Sequence, residues 1–267
     1  GIEIIPMYFE LDGSFPNHEA NPLEPSNLVD LQAAVLSTGA DLGLAFDGDA
    51  DRCFVIDELG QPVTPSAVAA MVAKREIIRV RNSGETGPIP VLHNLLCSRT
   101  VAEIIAENGG VPIRTRVGHS LIKDQMKETG AIFGGEHSAH YYFAEFWGAD
   151  NGMLAALQVI AEVRARTEAL SAIAQEYSRY VESGEINTKV EDQQAVIAQI
   201  RAVFAERGEI DVLDGLTISG IAPEGWWWLN VRGSNTEPLL RLNVEAETSS
   251  LMQSVRDEAL ALIRATG

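Results

Sequence analysis

The residues Asp47-Gly48-Asp49-Ala50-Asp51-Arg52 follow directly on the apolar run Leu42-Gly43-Leu44-Ala45-Phe46. The run reads as a buried strand, and the carboxyl ends of strands are where open α/β sheets place their ligands. Carboxylates at alternate positions of a near-extended loop point to one side, and a cation relieves their repulsion. Oxygen-only ligands suit a hard ion such as Mg²⁺ or Ca²⁺ and exclude a dedicated zinc or copper site. Asp47, Asp49 and Asp51 are therefore candidate metal ligands. With Glu58 they also fall at the first, third, fifth and twelfth positions of an EF-hand loop. That alternative fails on its surroundings: Arg52 stands where the turn needs Gly, Cys53-Phe54-Val55-Ile56 has strand character, and Pro62 and Pro65 would break the following helix.

At 267 residues the chain exceeds one ordinary domain, so two or three domains are expected. A formal net charge of −18 argues against nucleic acid and anionic membrane as partners. Cys53 and Cys97 stand isolated, which predicts a reducing compartment, the cytoplasm, and no zinc cluster. The longest apolar helical stretch, Met153 to Ala161, ends at Glu162, too short for a membrane span. No signal peptide is visible, and a start at Gly1-Ile2-Glu3-Ile4-Ile5 without Met is how a processed or truncated product begins.

Composition divides the chain into segments 1–82, 88–175 and 180–267. The first holds a strand near Glu3 to Tyr8, a Pro/Asn-rich stretch through Pro25, a helix from a cap at Ser26 to Ser37, the acidic loop and a helix over Ser66 to Arg79. The polar run from Arg81 to Pro88 is a linker. The second segment reads as strand 90–95, helix 99–107, a Gly109-Gly110 turn, strand 111–116, helix 121–129, strand 131–133, a loop and a long helix 151–166. Such alternation indicates an α/β layer structure. The third begins with a helix over 192–207, continues through several strands between 211 and 245, and closes with a helix over 249–264, a small α+β domain.

Two further loops carry polar chemistry. In Gly134-Gly135-Glu136-His137-Ser138-Ala139-His140 the small residues let a ligand approach the backbone, and Glu136 and Ser138 could bracket vicinal sugar hydroxyls; a polar turn is the other reading. Two histidines alone are a weak zinc signal. Arg232-Gly233-Ser234-Asn235-Thr236-Glu237-Pro238 lies between two strands and combines a guanidinium, hydroxyls and an amide, a set suited to an anion. A tight hairpin with Asx turns explains the same composition equally well. Trp226-Trp227-Trp228 reads as a strand packed on both faces.

Together these loops resemble the α-D-phosphohexomutase family, which includes phosphomannomutase and phosphoglucomutase. The match runs in family order through nearly the whole chain: Asp-Gly-Asp-x-Asp-Arg, Gly-Glu-x-Ser-x-His and Arg-x-Ser-x-Thr-Glu-Pro. The resemblance implies two phosphohexomutase-type α/β domains, the first incomplete, and a small TATA-binding-protein-like α+β C-terminal domain. It implies that Asp47, Asp49 and Asp51 hold Mg²⁺ and that Arg52 orients a phosphoserine. Glu136 and Ser138 would bind sugar hydroxyls with His140 nearby, while Arg232, Ser234, Asn235 and Thr236, assisted by Arg241, would hold the phosphate that is not transferred. Gly118-His119-Ser120 also looks like a family segment and would put His119 near the reacting oxygen; a helix N-terminus with a solvated Lys123 is the plainer reading.

The implied substrate is a hexose phosphate, mannose or glucose 1- or 6-phosphate. The implied reaction passes through a phosphoserine enzyme and a bisphosphate intermediate. No loop like Thr-Ala-Ser-His-Asn-Pro occurs in this sequence, so the nucleophile is expected in a further N-terminal domain or on a separate chain, and these residues alone are expected to be inactive. Many relatives carry a Lys where His93-Asn94-Leu95-Leu96-Cys97 stands, which leaves His119 or His140 as the general base. His137 after Glu136, and the Tyr141-Tyr142-Phe143 run, favour phosphomannomutase/phosphoglucomutase over phosphoglucosamine mutase; a non-catalytic Ca²⁺ or phosphosugar-binding module is the alternative outside the enzymes.

Overall fold

A computed structural model describes residues 1–234 and 238–265, apart from the side chains of residues 119 and 120. The first unit opens with a 3₁₀ turn, Pro25–Leu28, that runs into helix α1 (Val29–Thr38) and then strands β1 (Leu42–Phe46), β2 (Cys53–Asp57) and β3 (Pro62–Val63). These strands pair antiparallel in the order β1-β2-β3. Because Phe46 faces Cys53 across the β1/β2 ladder, the acidic loop is the tip of a hairpin. A strand, not a helix, leaves that loop, as the rejection of an EF-hand requires. The expected strand over Glu3 to Tyr8 is not formed. Those residues have no pairing partner among the described residues, and Ile2, Ile4 and Ile5 are exposed. The expected cap at Ser26 is also absent: its hydroxyl contacts Glu24 within the 3₁₀ turn, three residues before α1 begins.

The middle unit runs α2 (Pro65–Asn82), β4 (Pro90–Asn94), α3 (Arg99–Glu107), β5 (Val111–Thr115), α4 (His119–Thr129), β6 (Phe133–Gly135), β7 (Tyr141–Phe143), β8 (Ala149–Asp150), α5 (Gly152–Ala165) and α6 (Leu170–Gln175). Its sheet has the order β5-β4-β6-β7-β8, parallel on the β5-β4-β6 side and antiparallel on the other. Local chemistry sets the helix starts. The Thr64 hydroxyl accepts from the Ala67 N–H with Pro65 in the first turn of α2, and the Ser98 hydroxyl accepts from the Thr100 N–H at the start of α3. The small-residue stretch Ala67-Val68-Ala69-Ala70-Met71-Val72-Ala73 is wholly buried and lets α2 approach α3, α5 and β6 closely. Helix α2 thus packs mainly with the middle unit and only lightly with β2, although the boundary at 82–88 read from composition places it with the first.

The C-terminal unit comprises β9 (Val181–Glu182), β10 (Ile186–Lys189), α7 (Gln193–Phe204), β11 (Glu209–Asp211), β12 (Leu216–Ala222), β13 (Gly225–Gly233), β14 (Leu239–Ala246) and α8 (Ser249–Ala265). An antiparallel sheet, β10-β14-β13-β12-β11 with β9 also on β14, is backed by the two helices. Trp227 joins Phe204, Leu229, Val255 and Ile263 in that core, while Trp228 packs with Leu95 and Leu96 of the middle unit. The strand is therefore packed on both faces, as the triple Trp suggests. Polar contacts help hold the two units together: Glu245 of β14, which also accepts the Trp228 indole N–H (2.6 Å), accepts the Arg99 N–H at the start of α3 (3.1 Å), and Asp214 accepts the Val117 N–H (3.0 Å). Among the described residues, no helix is long and apolar enough to cross a membrane.

Candidate functional site

The acidic hairpin tip is braced from inside. The Arg52 backbone N–H donates to Asp47 Oδ1 (3.1 Å) and its Nε to Asp47 Oδ2 (2.6 Å). Ala50 is held at φ 59°, a left-handed value that an L-residue adopts at a cost and that brings the chain round. Ligand oxygens of Asp47, Asp49 and Asp51 lie within 4.8 Å of one another. Burial pushes Asp47 up, but the hydrogen bonds and charge of Arg52 outweigh it and the carboxyl ends below the usual carboxylate range. Asp51 moves the other way, to about 6, through burial, its hydrogen bond with Asp47, and the charges of Asp47, Asp49 and Asp150. Asp51 Oδ1 is a buried oxygen with no hydrogen-bond donor among the described residues. A crowded, oxygen-only set with an unserved buried carboxylate oxygen fits a hard divalent cation.

The Glu136 loop is bound to this tip by main-chain contacts. Arg52 and His140 form a β-bridge, and the Cys53 N–H donates to the Ala139 carbonyl (3.3 Å). Helix α5 closes the third side: Asn151 caps it, and the Gly152 N–H donates to the Ala50 carbonyl (3.1 Å). A Cβ on Gly152 would sit 2.6 Å from the Arg52 carbonyl carbon and 2.9 Å from the Ala50 oxygen, so only glycine permits this approach. Contrary to the loop expected at Gly134-Gly135, both glycines belong to β6; a Cβ on Gly135 would lie 2.7 Å from that of Ala69 on α2.

Glu136 is 2% exposed, and both its oxygens are engaged. Oε1 accepts from Asn94 Nδ2 (3.2 Å) and the Gly118 N–H (3.4 Å), and Oε2 accepts from the Tyr142 hydroxyl (2.8 Å). Ser138 Oγ contacts His140 Nδ1 at 2.9 Å, and the opposite nitrogen of that ring lies 3.6 Å from Asp51 Oδ1. Burial holds the His140 imidazole below its ordinary pKa in spite of Glu136 and Asp150. His119 opens α4, but its side chain lies outside the described residues.

Sequence reasoning missed Asp150 and undervalued Lys123. Asp150 forms a second compact group with Asp51 and His140, and Lys123 pairs with it at 2.7 Å. Nothing local marks either residue; β8 and α4 bring them together. On the C-terminal unit, Arg232 and Arg241 are directly opposed on β13 and β14. Both reach Glu185, Arg232 Nη2 at 3.2 Å and Arg241 Nη1 at 3.4 Å. Ser234 closes the strand end through its N–H on the Leu239 carbonyl (2.8 Å), while Asn235 and Thr236 lie outside the described residues. The C-terminal unit touches the Glu136 loop at His137, whose Nδ1 lies 3.7 Å from Glu182 Oε2 and whose pKa burial holds down. The acidic tip and the Glu136 loop thus form one cluster, and the C-terminal unit that carries the arginine pair meets that loop through Glu182 and His137.

Comparison with known proteins divides the chain in the same order. The family model for phosphoglucomutase/phosphomannomutase alpha/beta/alpha domain II matches residues 1–60, that for domain III matches 64–180, and that for the C-terminal domain matches 185–262. A phosphomannomutase of Methanocaldococcus jannaschii is 37% identical over 252 residues, which cover 94% of this chain and 54% of that protein. A phosphomannomutase/phosphoglucomutase of Pseudomonas aeruginosa is 37% identical over 260 residues, covering 96% and 54%. The crystal structure of a phosphoglucomutase/phosphomannomutase family protein from Burkholderia thailandensis superposes with a TM-score of 0.83 at 31% identity, over 99% of this chain and 55% of that one. The chain spans about half the length of the relatives it matches. With three consecutive domain matches covering nearly all its residues, the chain belongs to the α-D-phosphohexomutase family.

Proposed function

We propose that this chain supplies the metal, sugar and phosphate sites of a hexose-phosphate mutase of the phosphomannomutase/phosphoglucomutase type. The observation that carries the reading is the joining of the acidic tip to the Glu136 loop through Arg52, Cys53, Ala139 and His140, with the unit that carries the arginine pair meeting the same loop at Glu182 and His137. The names of the relatives point the same way.

Asp47, Asp49 and Asp51 would hold Mg²⁺, which when bound neutralises charge on a phosphoryl group in transit. Arg52, already oriented by Asp47, would steer the donor phosphoserine. Glu136 and Ser138 would receive sugar hydroxyls, and Arg232, Ser234, Asn235, Thr236 and Arg241 would hold the phosphate left behind, so that binding free energy becomes orientation at the reacting oxygen. As the P–O bond to serine breaks and one to the sugar hydroxyl forms, that hydroxyl must lose a proton. A neutral His140 is able to accept it, and His119 is the other candidate.

No serine of this chain stands in the family's nucleophile sequence, so the isolated chain should not turn over hexose phosphates even with glucose 1,6-bisphosphate present. Supplying a phosphoserine-bearing N-terminal half from a relative should restore mannose 1-phosphate to mannose 6-phosphate conversion, and Asp49→Asn in this chain should abolish it. Turnover by the chain alone, or an Asp49→Asn complex as active as its parent, would refute the assignment.

A further inference from the structure

Glu185 is the last residue before β10, delivered by the Gly184 turn (φ 68°), and Ile186 next to it is already paired with Leu242 of β14. It is thus fixed beside the strand that carries Arg241. Directly opposed guanidinium groups on neighbouring strands repel, and a carboxylate between them offsets the repulsion. The fit is incomplete. Charge-assisted N–H to O contacts ordinarily close to roughly 2.7–2.9 Å, whereas these stand at 3.2 and 3.4 Å. The Nε atoms of Arg232 and Arg241 are both buried without a hydrogen-bond partner among the described residues. Among the described residues, Glu185 alone therefore leaves donors of both arginines unserved. A phosphate monoester, with three terminal oxygens and more charge, serves the pair better. Glu185 is also 28% exposed on its side chain, so it can swing into water when displaced.

We propose that Glu185 is a built-in exchange anion: it occupies the arginine pair when no phosphate is bound and competes with phosphate for it. This rests on the mutase reading and deepens it. A bisphosphate intermediate that must present each phosphate in turn has to leave this clamp and return to it. An anion that takes over the two guanidiniums lowers the barrier to release by sparing them a desolvated, unpaired state. Glu185 is in this sense a positioning residue that sets how long phosphate stays.

The test uses this chain and calorimetry at low salt with inorganic phosphate, glucose 6-phosphate and glucose 1,6-bisphosphate. Removing the competing charge in Glu185→Gln should tighten the binding of all three by about tenfold, with Mg²⁺ affinity at the acidic tip unchanged. A merely structural role would weaken anion binding instead. Glu185→Ala should move in the same direction and serves if the Gln variant folds poorly. Unchanged or weaker binding in the folded variants, with Arg232→Gln still abolishing it, would overturn the role of Glu185 and leave the clamp intact. If Arg232→Gln binds phosphate like the parent, or no form binds phosphate at all, the clamp itself falls and the inference with it.

Discussion

Replacing Gly152 with alanine tests whether the acidic tip is shaped by the helix behind it. The added Cβ would meet the Arg52 carbonyl carbon at 2.6 Å and the Ala50 oxygen at 2.9 Å, against about 3.4 Å or more for an ordinary contact. Both are backbone atoms that no rotamer change can move. Helix α5 or the loop must therefore retreat by up to about 1 Å, which breaks or lengthens the Gly152 N–H to Ala50 bond, now 3.1 Å. Overpacking of this kind costs roughly 1–3 kcal/mol and a lost hydrogen bond about 1 kcal/mol, so a destabilisation of about 2–4 kcal/mol is expected. The retreat separates ligand oxygens that lie within 4.8 Å of one another, so Mg²⁺ affinity should fall by about tenfold as well. Calorimetric Mg²⁺ titration and thermal melting of parent and variant read both effects. A variant that melts with the parent and keeps its Mg²⁺ affinity would refute the argument that α5 shapes the tip.

Further outcomes rest on the same contacts. Burial and the Glu245 charge raise the Glu182 carboxyl to about 8. Its protonated form is therefore favoured in the folded chain, and its contribution is complete below the ordinary glutamate range near pH 4.3 and lost as pH rises through 8. Denaturant titrations should show the stability difference between parent and Glu182→Gln shifting against the parent by about 1.4 kcal/mol per pH unit within that window; a pH-independent difference would contradict it. Lys123→Met removes the cation paired with Asp150 and should raise Mg²⁺ affinity by roughly threefold to tenfold, since the neighbouring acidic groups lose a positive neighbour; weaker binding would be the contrary result. Ala50→Gly relieves a φ of 59° and should stabilise the chain by about 0.5 kcal/mol in denaturant titration; a loss of stability would show that the tip is not strained there.

What could be read from the residues alone was local. Helix α3 has the bounds expected, Arg99 to Glu107, because Ser98 caps its start and Gly109-Gly110 turns the chain away beyond its end. The acidic tip was legible because three carboxylates so close together repel unless a cation sits among them. Features that escaped depend on partners distant along the chain. Gly134-Gly135 reads as a loop until β6 is seen sliding past Ala69, where a side chain would not fit. Glu3 to Tyr8 has strand composition, but composition cannot supply the neighbouring strand that would satisfy its backbone. Asp150, Lys123 and Glu185 sit in ordinary sequence surroundings, and each gains its charge partner only when separate elements meet. The family's motif order located the arginine loop, yet the carboxylate between its two arginines comes from the connector preceding β10.

The docking of Glu245 onto the first turn of α3 has an experimental use. The Arg99 amide belongs to one unit and its acceptor to another, so its hydrogen–deuterium exchange rate is a built-in gauge of how often the C-terminal unit lifts away. Amides in the middles of α3 and α8 would stay protected through such an excursion. A ligand that bridges the two units should slow exchange at Arg99 selectively, so its binding could be followed in this chain without any turnover.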